Sequence, residues 1–150
     1  MAERDAVEIL LVEDRDEDAE MTTRALRKSH LANQLRRVRD GAEALELLLG
    51  GPACAGGAAA ITPRLVLLDL KLPKVSGLEV LARLKCDERT RAIPVVVLTS
   101  SRQEQDLVES YRLGVNSYIV KPVDFDQFLE AVRQLGLYWL LLNERTPPAT

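Results

Sequence analysis

The sequence contains only two cysteines, Cys54 and Cys86, and their spacing fits neither a metal site nor a disulfide framework. The longest strictly apolar run near the end, 137–142, is far too short to span a bilayer. The opening residues, MAERDAVE, lack the apolar core of a secretory signal. These absences predict a cytoplasmic protein with reduced thiols and no membrane span.

No block of lysine and arginine stands out either. The 20 basic and 23 acidic residues give a net charge of −3, so duplex nucleic acid is a poor candidate partner. The apolar content of 47% and the charged content of 29% are ordinary for a globular protein. A chain of 150 residues is long enough to bury one core, so we predict a single domain over 1–150.

Apolar runs of strand-forming residues alternate with helical patterns, which is typical of a doubly wound α/β fold. The predicted strands lie near 8–12, 34–38, 65–69, 94–98 and 116–120, and the predicted helices near 16–30, 41–49, 76–86, 102–113 and 125–143. Asp40 with Glu43, and Asp124 with Gln127, predict capping boxes at two helix starts. A small-residue stretch at 50–63 interrupts the alternation, and we interpret it as a flexible insertion, with a partner contact as the alternative.

Charged and polar residues follow four of the predicted strands. Glu13 and Asp14 come after ILLV, Asp69 after LVLL, Thr99 after VVVL and Lys121 after SYIV. The carboxyl ends of parallel strands meet at the edge where open α/β sheets bind ligands, so we expect these side chains to converge. Clustered carboxylates repel one another unless a hard cation joins them, and Mg²⁺ is the ordinary candidate. This combination is typical of phosphoryl-transfer sites.

Four motifs at the ends of the first, third, fourth and fifth strands carry a resemblance to a known family: VEDRDED, LLDLKLPKVSG, VVLTSS and SYIVKPVD. In this order they resemble the receiver domains of two-component response regulators. The resemblance covers about 7–142 and leaves a frayed tail at 146–150. It implies a flavodoxin-like (βα)5 fold whose five parallel strands have the order 2-1-3-4-5. It also implies a stand-alone receiver, since no appended output domain is evident.

The resemblance implies that Asp69 is the phospho-acceptor. It further implies a Mg²⁺ site formed by Glu13, Asp14, Asp69 and the backbone carbonyl of Lys71. The alternative for Asp69 is a capping aspartate at a strand-to-loop turn. The alternative for the acid pair is that both acids lie at a helix N-terminus, where the helix dipole stabilises negative charge.

The acids after the first strand allow two further interpretations. The helix dipole alone is a sufficient account of Glu17 and Asp18. Asp14, Asp16 and Asp18 also imitate the opening of a calcium-binding EF loop. That loop would need glycine at its sixth position and glutamate at its twelfth, and this sequence has alanine at both. The calcium interpretation therefore fails.

By the same resemblance, Thr99 and Lys121 would contact phosphoryl oxygens and favour the charge of the phosphorylated state. An N-cap is the alternative for Thr99. A surface lysine with an extended side chain is the alternative for Lys121. The peptide bond between Lys121 and Pro122 matches a family position that is usually cis.

Other positions would tune and report the phosphorylated state. Tyr118 matches the family's switch aromatic, and a half-buried strand tyrosine is the alternative. Thr99 would act with it in the switch. Lys71 and Ser101 match the two positions that set how long the phosphoryl group survives. The cation of Arg15, which follows the acid pair, could weaken metal binding or form an ion pair with its neighbour in sequence.

The last predicted helix continues into FLEAVRQLGLYWLLLNE, in which 137–142 is apolar throughout. Such a run exceeds what one core-facing stripe needs, so we predict a homodimer surface that includes Tyr138 and Trp139. The alternative is that the C-terminus folds back over them. These features resemble small receivers paired with phytochrome-type, light-sensing histidine kinases.

We therefore predict a response regulator that takes a phosphoryl group from a histidine kinase in a Mg²⁺-dependent reaction and is not itself an enzyme. A pseudo-receiver that acts by protein binding alone is one alternative. A small phosphatase on the same fold is another, although it would place a second acid where this sequence has Lys71.

Overall fold

The computed structural model describes residues 8–27, 35–50, 61–99, 112, 114–115 and 117–136. Within them, strands and helices alternate as the sequence predicts. The strands are β1 (Ile9–Val12), β2 (Leu35–Val38), β3 (Leu65–Asp69), β4 (Val95–Thr99) and β5 (Ser117–Val120). The helices are α1 (Asp16–Arg27), α2 (Gly41–Leu49), α3 (Gly77–Cys86) and α4 (Phe125–Gln134).

The five strands form one parallel sheet with the order β2-β1-β3-β4-β5, which confirms the predicted fold. In the register of neighbouring strands, Val12 lies beside Leu68 and Asp69 lies beside Leu98. The strand order reverses direction between β1 and β3, so the connections that leave these two strands diverge to opposite faces. A crevice at the carboxyl ends of β1 and β3 follows from this topology.

Side chains alternate between the two faces of the sheet, and among the described residues each face packs against two helices. Along β1, Ile9 and Leu11 join the core layer beneath α1 and α4. Leu10 and Val12 join the layer beneath α2 and α3. Because both faces are covered, the central strands are apolar along their whole length, and the first polar positions occur where those strands end.

Capping side chains set the helix starts. The Asp40 carboxylate accepts a hydrogen bond from the Glu43 backbone N–H at 2.8 Å, and Asp124 accepts one from the Gln127 backbone N–H at 2.8 Å, so both residues are confirmed as N-caps. The reciprocal bond of a capping box does not form at either, because Glu43 Oε1 accepts from the Arg39 N–H and the Gln127 side chain donates to Asp124. The cap on α3 was not predicted: the Ser76 hydroxyl accepts a hydrogen bond from the Glu79 N–H at 3.2 Å.

The last helix is shorter than predicted. We expected a helix over 125–143, but α4 ends at Gln134 and a turn follows at 135–136. The rest of the predicted helix, 137–143, lies outside the described residues. Gly136 has φ of 73°, a left-handed conformation that glycine adopts without steric cost. The apolar pattern continues across this glycine, which is why periodicity alone misplaced the helix end. The predicted helix over 102–113 lies outside the described residues except for Arg112.

Among the residues that the structure describes, none of the helices combines the length and the apolar character that a bilayer span needs.

Gly77, the first residue of α3, lies directly against the turn that follows β3. Its N–H donates to the Leu70 carbonyl at 2.9 Å. A Cβ atom at this position would collide with the backbone carbonyl oxygen of Asp69 and would lie 2.6 Å from the Leu70 Cα. Those are backbone atoms, which cannot rotate away as a flexible side chain can. The contact holds α3 close to the end of the central strand.

We expect Gly77→Ala to lower the free energy of unfolding by roughly 1–3 kcal/mol, because the added methyl must displace backbone in a packed region. Urea denaturation measures the change. Ser76→Gly is the matched control at the preceding position, since replacing a serine cap by glycine costs about a few tenths of a kcal/mol. Equal costs for the two variants would show that the close approach at Gly77 does not limit packing.

Candidate functional site

Three carboxylates converge at the crevice between β1 and β3. Glu13 and Asp14 follow β1, and Asp69 is the last residue of β3. One oxygen from each of these side chains lies within 4.8 Å of the other two. Glu13 is fully buried and Asp69 is 4% exposed, whereas Asp14 is only partly covered. The sequence-predicted acids are therefore brought together, with one of them open to solvent.

Lys121 reaches this cluster from the end of β5. Its Nζ lies 2.7 Å from Glu13 Oε1 and 3.0 Å from Asp69 Oδ2. The side chain is 9% exposed, so it does not extend along the surface as the alternative interpretation required. The Lys121–Pro122 peptide bond is cis, which confirms that expectation. One buried cation thus links the end of β5 to the ends of β1 and β3, neither of which is next to β5 in the sheet.

A fourth carboxylate joins the cluster from α1. Asp18 Oδ2 lies 3.0 Å from Lys121 Nζ, in the first turn of that helix. The helix-dipole interpretation of Asp18 misses this contact. No spacing in the sequence indicated the contact, because it joins the first turn of α1 to the end of β5.

Arg15 forms ion pairs with acids in the first turn of α1, the helix that follows it. Its guanidinium lies 3.6 Å from Glu17 Oε1 and 3.6 Å from Asp18 Oδ2. The expected alternative, an ion pair between Arg15 and Asp16, is wrong, because Asp16 instead forms ion pairs with Arg37 and Arg39.

Arg37 is a supporting residue that no sequence motif indicated. Its Nε donates to the Glu13 carbonyl at 2.9 Å, and its Nη1 donates to Asp16 Oδ1 at 2.9 Å. Arg39 also donates to Asp16 Oδ1 at 2.9 Å. The hydrogen bonds from Arg37 and the charge of Arg39 lower the pKa of Asp16. Arg37 therefore fixes both ends of the turn that carries the acid pair.

Burial and charge act in opposite directions on the buried ion pair. Burial raises the pKa of Glu13 to about 7; contact with Lys121 opposes the rise, and repulsion from Asp69 adds to it. Burial alone would lower the pKa of Lys121, but contacts with Glu13, Asp69 and Asp18 outweigh it and raise that pKa. The ammonium therefore stays charged at neutral pH.

The donor set has the chemistry of a magnesium site. Glu13, Asp14 and Asp69 offer only oxygen ligands, and the surrounding carboxylates outnumber the single ammonium. Glu13 Oε1 is buried and makes no hydrogen bond of ordinary geometry, although the ammonium lies close to it. A hard cation would satisfy this oxygen and the excess charge together. The calcium-loop arrangement does not form, because Asp16 and Asp18 are bound to arginine and lysine.

The remaining predicted residues lie around this cluster. The Lys71 N–H donates to Asp69 Oδ1 at 3.2 Å. Thr99 is buried at the end of β4, and its carbonyl accepts from the Lys121 N–H at 2.7 Å. Tyr118 on β5 is 38% exposed. The predictions for Ser101, Tyr138, Trp139 and most of the 50–63 stretch lie outside the described residues.

Comparison with curated proteins identifies relatives along most of the chain. The probable methanogenesis regulatory protein FilR2 of Methanothrix harundinacea is 44% identical over 141 residues, covering 94% of this chain and 88% of the relative. Response regulator Rcp1 of a Synechocystis species is 38% identical over 132 residues, covering 88% of each chain.

Solved structures give the same result. The bacteriophytochrome response regulator AtBRR has a TM-score of 0.78 and 54% identity, covering 93% of this chain and 99% of its own. The phosphorylated cyanobacterial phytochrome response regulator RcpA has a TM-score of 0.72 and 40% identity, and the match covers 90% of this chain and 94% of the RcpA chain. The Mn²⁺-bound form of Rcp1 has a TM-score of 0.71 and 38% identity, and the match covers 94% of this chain and 98% of the Rcp1 chain.

The family model of the response regulator receiver domain matches residues 9–133, a span that includes every strand and the converging carboxylates. The chain belongs to the response regulator receiver domain family.

Proposed function

We propose that this protein is a response regulator that accepts a phosphoryl group from a histidine kinase onto Asp69. The observation that carries the proposal is the position of Asp69. It ends the central strand at the crevice, with the Lys121 ammonium 3.0 Å from Oδ2 and two further acids within ligand distance. Such a carboxylate is a nucleophile whose surroundings compensate the charge of an incoming phosphoryl group.

The transfer forms one bond and breaks another. An Asp69 carboxylate oxygen attacks phosphorus, and the P–N bond of a phosphohistidine breaks with its electron pair left on the imidazole. The product is an acyl phosphate, in which the carboxylate charge of Asp69 is lost and the phosphoryl charge takes its place. Lys121 compensates that charge from within the site, and buried Thr99 is the proposed hydroxyl donor to a phosphoryl oxygen.

Glu13, Asp14, Asp69 and the Lys71 carbonyl are the proposed ligands of Mg²⁺, which would supply Lewis-acid neutralisation of the phosphoryl oxygens. The oxygen-only donor set supports this assignment, as does the buried Glu13 Oε1, which makes no hydrogen bond of ordinary geometry. The solved relatives, one phosphorylated and one holding Mn²⁺, support the same chemistry at the family level.

The upstream partner we propose is a phytochrome-type, light-sensing histidine kinase. Its support is the similarity to AtBRR and RcpA, which are described as bacteriophytochrome and phytochrome response regulators. The switch role of Thr99 and Tyr118, the tuning role of Lys71 and the homodimer stay predictions. So do the cytoplasmic location and the single-domain extent over 1–150.

We propose a signalling role rather than an enzymatic one. A phosphatase of the kind considered from the sequence needs a second acid two residues after the nucleophile, and Lys71 stands there with an exposed position. A pseudo-receiver would lack part of the acidic cluster or the lysine. Here Asp69, the acid pair and Lys121 are all present and in contact distance.

Asp69→Asn should abolish Mg²⁺-dependent labelling by acetyl phosphate, because an amide oxygen is too weak a nucleophile to form the acyl phosphate. Mass spectrometry of the intact protein detects the added phosphoryl group. Asp126→Asn is the matched control, since this exposed acid of α4 lies away from the cluster, and it should be labelled like the wild type. Undiminished labelling of Asp69→Asn would place the acceptor elsewhere.

Removing the buried cation should have opposite effects on stability and on metal affinity. Lys121→Met leaves Glu13 and Asp69 without their ammonium, and breaking a buried ion pair in this way costs up to roughly 3–5 kcal/mol. The same variant removes a competitor for the metal ligands, so Mg²⁺ should bind more tightly and raise the melting temperature more than in the wild type.

Calorimetry and thermal unfolding with and without Mg²⁺ measure both effects. The double variant Glu13→Gln with Lys121→Met is the control, because it removes the carboxylate and its partner together and should recover part of the lost stability. A magnesium response identical in Lys121→Met and wild type would contradict a metal site at these carboxylates.

A further inference from the structure

The Lys121 ammonium is surrounded by carboxylates and donates hydrogen bonds to two of them, Asp18 and Asp69. An ammonium has three N–H donors and no acceptor. Three carboxylates lie around Nζ: Glu13 at 2.7 Å, Asp18 at 3.0 Å and Asp69 at 3.0 Å. The side chain is 9% exposed, so these carboxylates, rather than bulk water, determine where the ammonium lies.

Two of the three carboxylates change partners under the proposed function. Phosphorylation converts the Asp69 carboxylate into a mixed anhydride and removes its charge. Glu13 belongs to the oxygen set that converges within 4.8 Å and is proposed to bind a divalent cation. The partner of Lys121 at Asp69 therefore changes from the carboxylate to the phosphoryl oxygens, and Glu13 is shared with the divalent cation.

Asp18 differs from them in position and in role. It lies in the first turn of α1 rather than at a strand end, and it is outside the converging oxygen set. Its Oδ2 also faces the Arg15 guanidinium, but at 3.6 Å, which is too long for a hydrogen bond. The contact with Lys121 at 3.0 Å is the shorter one. Asp18 is thus neither the proposed phospho-acceptor nor a proposed metal ligand, so its contact with Lys121 does not compete with either role.

We propose that Asp18 is a positioning residue for Lys121, and this inference depends on the proposed acceptor function of Asp69. Asp18 anchors the ammonium beside Asp69 while Asp69 takes up the phosphoryl group and Glu13 binds the divalent cation. Without Asp18, no carboxylate would orient the Lys121 ammonium toward a phosphoryl group on Asp69. The hydrogen bonds to Asp18 and Asp69 fix the direction of the ammonium, and removal of the one to Asp18 allows it to turn away.

Titration with beryllofluoride in Mg²⁺ buffer, followed by backbone amide NMR, tests this role because beryllofluoride mimics the phosphoryl group without reacting further. We expect Asp18→Ala to bind about tenfold more weakly, the effect of losing one charge-assisted hydrogen bond. Asp18→Asn keeps an acceptor oxygen and should bind with intermediate affinity. Glu17→Ala is the matched control, since Glu17 also lies 3.6 Å from Arg15 but is not a partner of Lys121.

The ¹H–¹⁵N signal of the Lys121 ammonium in the beryllofluoride complex is a second readout that a merely structural role would not change. We expect the signal in the wild type and in Asp18→Asn, and its loss by water exchange in Asp18→Ala. Equal or tighter beryllofluoride binding by Asp18→Ala, or a retained ammonium signal, overturns the role of Asp18 alone. A wild type that binds no beryllofluoride overturns the acceptor assignment, and the role of Asp18 with it.

Discussion

The structure depends on one electrostatic constraint: several carboxylates share a crevice that is mostly closed to water, with one ammonium among them. Glu13 and Asp69 are buried, and like charges at such a distance raise the free energy of the folded state unless a cation lies between them. Lys121 provides that cation, at 2.7–3.0 Å from each. Because the acids outnumber it, the folded state keeps an unmet attraction for further positive charge.

The fold supplies the means of holding this arrangement in place. Asp69 lies on a central strand, and Gly77 brings the start of α3 against its backbone. On the other side, Arg37 binds the Glu13 carbonyl and the start of α1 at once. Neither residue touches the proposed phosphoryl position. Both limit how far the carboxylates can retreat from one another, so repulsion is retained as affinity for a cation instead of being relieved by movement.

Features that follow from local patterns were predictable from the sequence, and features that depend on side-chain direction between elements were not. The strands, their order and the convergence of Glu13, Asp69 and Lys121 follow from apolar runs with polar residues at their ends. The contacts of Asp18 and Arg37 join α1 to β5 and β2 to the β1 turn, and no spacing in the sequence specifies such pairs. The end of α4 was missed because a left-handed glycine interrupts an apolar pattern that continues past it.

A backbone hydrogen bond joins the ends of β4 and β5. The Lys121 N–H donates to the Thr99 carbonyl at 2.7 Å, immediately beyond the register pair of Thr99 with Val120. The two residues proposed to contact a phosphoryl group therefore share a backbone hydrogen bond. A shift of the Thr99 backbone carries the Lys121 backbone with it, while Asp18 restrains the lysine at its far end. Because one end of this side chain follows the sheet and the other follows α1, a change at Asp69 acts on both elements together.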